Sequence, residues 1–169
     1  LLAKAMDAAP RAIVAKATAE KTPFSAAFFD AAFGEFVLSL VTPPEDMLKE
    51  AYRVLNPTGA LCLSGDYIRE VLENAEASGT DGLKSCLNGA MQLEELQDLV
   101  SGSGFEILHV SDHTDKLKQL TAELIFAYGS LKDFWGFFVG ARNAENMCSC
   151  NHKFGYYMLV ARKKDEQNG

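Results

Sequence analysis

The run Ala60-Leu61-Cys62-Leu63-Ser64 constrains the fold more than any other part of the chain. It is a continuous apolar run, as a strand covered on both faces requires, and such strands belong to parallel sheets. Just before it, Met47, Leu48, Ala51, Tyr52 and Leu55 share one face at helical spacing. Thr42-Pro43-Pro44-Glu45-Asp46 predicts where that helix starts: an N-cap hydroxyl, prolines in the first turn, and acids at the positive end. Asn56-Pro57-Thr58-Gly59 ends it with turn-forming residues. A helix, a tight turn and a buried strand form the unit from which layered α/β sheets are built.

The rest of the sequence extends this alternation. Residues 1–9 have helical propensity up to Pro10, and 11–17 and 29–34 predict strands. Residues 36–41 either extend the second strand or form a short helical turn; periodicity leaves both open. Residues 66–77 and 93–101 predict helices, the second closed by Gly102 and Gly104, and 105–111 predicts a strand. In 114–128, Leu117, Leu120, Leu124 and Tyr128 form one helical stripe. Phe134-Trp135 and Phe137-Phe138 read as a bulky apolar helix or lid, and 154–161 as a final strand. The expectation is an α/β fold, a mainly parallel sheet with helices on both faces. It occupies one domain over residues 1–162, with 163–169 a solvated tail.

Composition removes several classes of function. With 16 basic and 23 acidic residues the 169-residue chain carries a formal charge of −7, which leaves no excess of cations for phosphates. No nucleic-acid partner is expected. No apolar run approaches the length of a membrane span, and no leader pattern precedes a small-residue cleavage site. Four cysteines do not make a disulfide framework, so a reduced, cytoplasmic protein is expected.

Ligands in such sheets bind beyond the carboxyl ends of the strands. Four short segments lie there: Thr18-Ala19-Glu20, Gly34-Glu35-Phe36, Ser64–Tyr67 and Ser111–His113. Gly34 either lets backbone approach a ligand or simply turns the chain. Asp66 either orients a substrate, with Tyr67 beside it, or caps the helix that follows. His113 next to Asp112 is either a general base or part of a polar cluster opening a helix.

Phe29-Asp30-Ala31-Ala32-Phe33, followed by Pro43-Pro44 and by Leu48-Lys49-Glu50-Ala51-Tyr52-Arg53-Val54-Leu55-Asn56-Pro57-Thr58-Gly59, resembles the class I S-adenosylmethionine-dependent methyltransferases that act on small molecules. In that family a strand opening Phe-Asp precedes a helix ending Arg-Val-Leu-x-Pro. Thr22-Pro23-Phe24 is similar to the Leu-Pro-Phe that follows the family's third strand, and 93–105 and 155–162 to its late elements. The resemblance implies a Rossmann-like sheet with an antiparallel last strand, S-adenosylmethionine as cofactor, and a small-molecule acceptor. It places Thr18, Ala19 and Glu20 at the adenine, Gly34, Glu35 and Phe36 toward the cofactor, and Asp66, Tyr67 and His113 toward the acceptor. The family's Gly-rich loop after strand one and the ribose-binding acid after strand two have no counterpart. The sequence therefore reads as an N-terminally incomplete domain, and a homo-oligomer completing the sheet is one expectation. Thr18 stands where relatives carry an acid, and a hydroxyl offers only a neutral hydrogen bond.

The cysteines open a different possibility. Cys148-Ser149-Cys150-Asn151-His152 alternates two thiols and an imidazole, and Cys86 lies in a separate loop. Together they are either a tetrahedral site for a soft metal or metalloid or unpaired thiols in irregular segments. Cys62, inside a strand, reads as inert core. The alternative to an enzyme is thus a non-catalytic methyltransferase-like module or a thiol-based metal or metalloid binder.

Overall fold

The computed structural model describes residues 14–71, 89–139 and 152–164. Their elements are β1 (Phe29–Glu35), a 3-10 turn (Leu38–Leu40), α1 (Pro44–Val54), β2 (Leu55–Val71), α2 (Leu93–Gly102), β3 (Phe105–Asp112), α3 (Thr114–Tyr128), α4 (Leu131–Val139) and β4 (His152–Lys163). The four strands form one sheet in the order β1-β2-β4-β3.

The pairing corrects the expected strand directions. β1 and β2 are parallel, but β4 runs antiparallel to both β2 and β3, between which it is inserted. The sheet of the described residues is therefore mixed rather than mainly parallel. The antiparallel final strand is as the resemblance implies. Residues 14–17 form no strand, because an isolated extended segment without a hydrogen-bonded neighbour gains nothing from being a strand; residues 11–13 lie outside the described residues.

β2 is longer than its apolar centre. The register with β1 jumps from Phe29–Leu55 to Ala31–Ala60, so Asn56–Gly59 bulge out of the ladder. The Asn56 side-chain oxygen accepts a bond from the Thr58 amide, 3.0 Å away, and fixes that turn. At its other end β2 stays paired with β4 as far as Val71–His152. The helix expected from residue 66 is thus a strand through residue 71, and 72–77 lie outside the described residues. Pairing with β4 overrides local propensity there.

The core occupies one face. Leu61 and Leu63 of β2 pair with Ala161 and Leu159 of β4, and all four project against Leu48 of α1 and Leu96 and Val100 of α2. Phe105, Leu55 and Leu159 have no exposed surface. Burying side chains of this size contributes about 1.5–3 kcal/mol each. On the other face Phe33 is 81% exposed and Met158 is 43% exposed. Among the described helices, α1 and α2 cover the core face and α3 contacts β4. α1 begins after Pro43, which makes no side-chain cap, so Thr42 is not the expected N-cap. α2 has a reciprocal cap between Gln92 and Glu95.

The expected helix at 114–128 forms, but its apolar stripe is not a core stripe. Only Thr114 of α3 is buried, and Leu120 is half exposed. α4 continues it as the expected bulky apolar helix, with Phe134 edge-on to Tyr128. No described helix is long and apolar enough to cross a membrane.

Candidate functional site at the carboxyl ends of β1 and β2

The parallel pair ends in an unusual backbone. Phe36 follows β1 with φ +51°, a left-handed conformation that non-glycine residues adopt at a cost. Its amide donates to the Ser64 carbonyl at 2.8 Å, carrying the β1–β2 ladder one residue past Glu35. That conformation turns the Phe36 ring back over the sheet, where it stacks on Tyr156 of β4 at 5.4 Å and 7° between planes. Gly34 has a different role from the ligand approach considered for it. A Cβ there would lie 2.9 Å from both the Leu63 and the Met47 side chains, so the space beside the glycine is filled by core packing. Glu35 is exposed.

Beside this aromatic pair is a narrow cavity, lined by Phe36, Ser39, Ser64, Asp66, Tyr67 and Tyr157 together with smaller and apolar residues. Its enclosed volume is about 10 Å³, room for one water, within about 300 Å³ of free space that includes the open mouth. Gly89 closes one wall: a Cβ on it would fall 1.9 Å from the Ser39 carbonyl oxygen. Asp66 is 9% exposed and is the one charged side chain in this lining. It lies within β2 opposite Tyr156, so its expected role as cap of a following helix is overturned. Burial pushes the Tyr157 phenol well above its usual range, and the negative charge of Asp66 raises it further.

Tyr67 belongs to the same cavity and to a polar network running across the sheet. Its ring passes over Gly155 of β4, and its hydroxyl lies close enough to Asp112 on β3 to help hold that carboxyl down. Asp112 also accepts bonds from the Thr114 amide, at 2.8 Å, and from the Thr114 hydroxyl. These bonds, the Thr114 hydroxyl first, hold the Asp112 carboxyl below the usual carboxylate range. Thr114 in turn accepts from the Tyr156 amide at 3.2 Å. His113 lies beside this network rather than in the cavity. Its Nε2 is 2.9 Å from the Ser111 hydroxyl, and its ring is 6.4 Å from that of Tyr156.

Thr18, Ala19 and Glu20 do not line this cavity. They form a turn closed by the Lys21 amide donating to the Thr18 carbonyl at 3.2 Å, with Thr18 and Glu20 exposed. The segment after this turn is clamped to α1. Glu50, 7% exposed, accepts from the Thr22 amide at 2.7 Å, the Thr22 hydroxyl and the Arg53 guanidinium, while Arg53 also donates to the Phe24 carbonyl at 2.8 Å. The Arg53 bonds and the two Thr22 bonds outweigh burial and hold the Glu50 carboxyl down at about 2.

The residues missed in the sequence are Gly155, Tyr156 and Tyr157, and Asp112 was noted only as the neighbour of His113. A signal for them exists: Phe154-Gly155-Tyr156-Tyr157 places a glycine inside an aromatic strand, which marks close approach by another group. Cys86, Cys148 and Cys150 lie outside the described residues, and of His152 only its place at the start of β4 is described. Among the described residues no group of three or more His, Cys, Asp or Glu side chains could hold a metal. Cys62 is half-buried on the sheet face away from the core.

For S-adenosylmethionine the described residues fit one wall of a site. The Phe36 and Tyr156 rings and the Asp66 carboxylate suit a positively charged sulfonium. The described residues include no glycine-rich cradle for the methionine part.

Residues 1–63 match the family model of a methyltransferase domain. No functionally curated protein matches the sequence. Among solved structures, the [4+2]-cyclase SpnF superposes with a TM-score of 0.67 at 26% identity, over 96% of this chain and 59% of that one. Phosphoethanolamine N-methyltransferase 2 of Haemonchus contortus, in complex with S-adenosyl-L-methionine, gives 0.61 at 16% identity, over 86% of this chain and 36% of that one. A putative sarcosine dimethylglycine methyltransferase from Galdieria sulphuraria gives 0.56 at 15% identity, over 89% of this chain and 58% of that one. The chain thus spans between about a third and three fifths of the length of these structures. It resembles the class I S-adenosylmethionine-dependent methyltransferases in sequence over its first 63 residues and in fold over most of its length.

Proposed function

We propose that the cleft at the carboxyl ends of β1 and β2 serves methyl transfer from S-adenosylmethionine to a small acceptor. The observation that carries this reading is the left-handed Phe36, stacked on Tyr156 beside the buried Asp66 at the end of the parallel pair. Strained backbone of this kind concentrates at functional sites. When bound, S-adenosylmethionine supplies a methyl group already activated by its sulfonium, so the protein's work is alignment and exclusion of water. In this reading Phe36 and its neighbours Gly34 and Glu35 border the cofactor, with Thr18, Ala19 and Glu20 at its adenine edge. Asp66, Tyr67 and His113 face the acceptor. Tyr67 is held by Asp112 and has little freedom to move, which fixes one side of the acceptor space.

One observation favours a second reading. The 26% identical structure is a cyclase, so this fold also hosts chemistry other than methyl transfer. The two readings separate in a titration with S-adenosylhomocysteine followed by backbone NMR. Methyl transfer predicts shifts confined to residues 18–20, 34–36 and 64–67. Shifts spread evenly over the protein, or none, would sink the reading.

A further inference from the structure

Helix α3 is anchored to the sheet by one end. Thr114 is its one buried residue, and beyond it the helix runs past Phe154 of β4 along an open hollow of about 360 Å³ lined by Leu117, Thr121 and Ile125. At helical spacing Leu117, Leu120, Leu124 and Ala127 occupy the a and d positions of two heptads. Lys116 and Glu123 are then the two g positions, on the flank of the stripe opposite Thr121 and Ile125. Lys116, Leu120, Glu123 and Ala127 are all exposed, so this flank is open to a partner. Among the described residues Lys116 and Glu123 make no ion pair, and Glu123 accepts a bond from the Gln119 side-chain amide at 3.0 Å.

Opposite charges at successive g positions select both a partner and its orientation. When two copies of this helix pair antiparallel, g faces g, so Lys116 of each copy meets Glu123 of the other. The two-fold axis repeats the pair and falls beside Leu120 of both copies. In a parallel pair g faces the following e, which here is Thr121 or Tyr128, and no ion pair forms. We propose that α3 docks against α3 of a second copy of this chain, antiparallel, with Leu120 at the axis and a Lys116–Glu123 ion pair on each side of it. Burial of Leu120, Leu124 and Ala127 supplies the attraction, because exposed ion pairs contribute little each and serve mainly to fix direction. None of these residues lines the cavity at the ends of β1 and β2, so the proposal does not depend on methyl transfer.

The test is sedimentation equilibrium of the whole chain at concentrations up to about 0.5 mM, because one helix from each copy makes a small interface. The wild type should form a dimer, and the methyl NMR signals of Leu120 and Leu124 should shift with concentration. Lys116→Glu and Glu123→Lys each set like charges face to face, and each should weaken the dimer about fivefold or more. An equimolar mixture of the two variants should associate as strongly as the wild type, since each supplies the charge that the other lacks. That recovery also shows that both variants are folded. A wild type that stays monomeric overturns the proposal, and shielding of its Leu120 methyls from a soluble paramagnetic probe would mean that another part of the chain covers the stripe. A dimer indifferent to both single changes lies at another surface and overturns it as well. A mixture no stronger than either variant alone rejects the antiparallel pairing.

Discussion

The Tyr67 ring crosses β4 at Gly155: a Cβ on that glycine would lie 2.3 Å from Tyr67 Cε1 and 2.6 Å from the Thr114 hydroxyl oxygen. The absence of a side chain at one residue thus lets a tyrosine on β2 reach Asp112 on β3, across the strand between them. The consequence for the site is that Tyr67 is positioned from two sides, by packing and by a carboxylate.

Gly155→Ala should therefore displace Tyr67 as well as lower stability. Forcing a methyl group into a filled space costs about 1–3 kcal/mol. Denaturant unfolding should show a loss in that range, and the NMR signals of Thr114 and Asp112 should move with those of Tyr67. A fully stable variant with an unmoved Tyr67 would contradict the packing described.

Asp112→Ala removes the acceptor of two hydrogen bonds, from the Thr114 amide and the Thr114 hydroxyl, and the carboxylate that faces the Tyr67 hydroxyl. Thr114 is 5% exposed and Tyr67 7%, so water does not readily replace the lost oxygen. Leaving buried donors unsatisfied costs about 1–3 kcal/mol. A thermal melt should show that loss, and amide exchange should quicken first at the start of α3.

Glu50 makes stability depend on pH in a definite direction. Its carboxyl is held at about 2 in the folded chain and titrates in the ordinary carboxylate range when unfolded. A depressed pKa contributes stability above the unfolded value and loses it as pH falls toward about 2. Glu50→Gln should cost about 1.5–3 kcal/mol at neutral pH, the worth of hydrogen bonds to a charged group. The gap to wild type should narrow in unfolding curves recorded between pH 5 and pH 2. A constant gap across that range would show that the Thr22 and Arg53 bonds do not depend on the charge.

Where the sequence carried the information locally, it could be read. α1 announces itself through Met47, Leu48 and Ala51 on one face, and all three are buried. The centre of β2 does so through its apolar run, and the turn at Asn56–Gly59 through its residue types. Asp66, Arg69 and Glu70 look helical or looped by themselves and become strand because β4, far later in the chain, supplies hydrogen bonds. The stripe on α3 misled for a related reason: spacing reports which residues share a face, and says nothing of what covers it. Leu120 and Tyr128 share that face and remain about half exposed. Of the candidate site, Phe36, Asp66 and Tyr67 come together in one cavity, whereas Gly34 serves packing. Tyr156 was illegible, and the role of Asp112 with it, because both arise only from strand order.

Methyl transfer in this cleft requires Phe36 to face the transferable methyl group. That placement is tested most directly with S-adenosylmethionine carrying a ¹³C-labelled S-methyl, by isotope-filtered nuclear Overhauser measurements at millimolar ligand, where weak binding suffices. Cross-peaks are predicted from that methyl to the aromatic protons of Phe36 and Tyr156, and they should be lost in Phe36→Leu. Cross-peaks only to the α3 and α4 side chains, or none to the sheet, would contradict it.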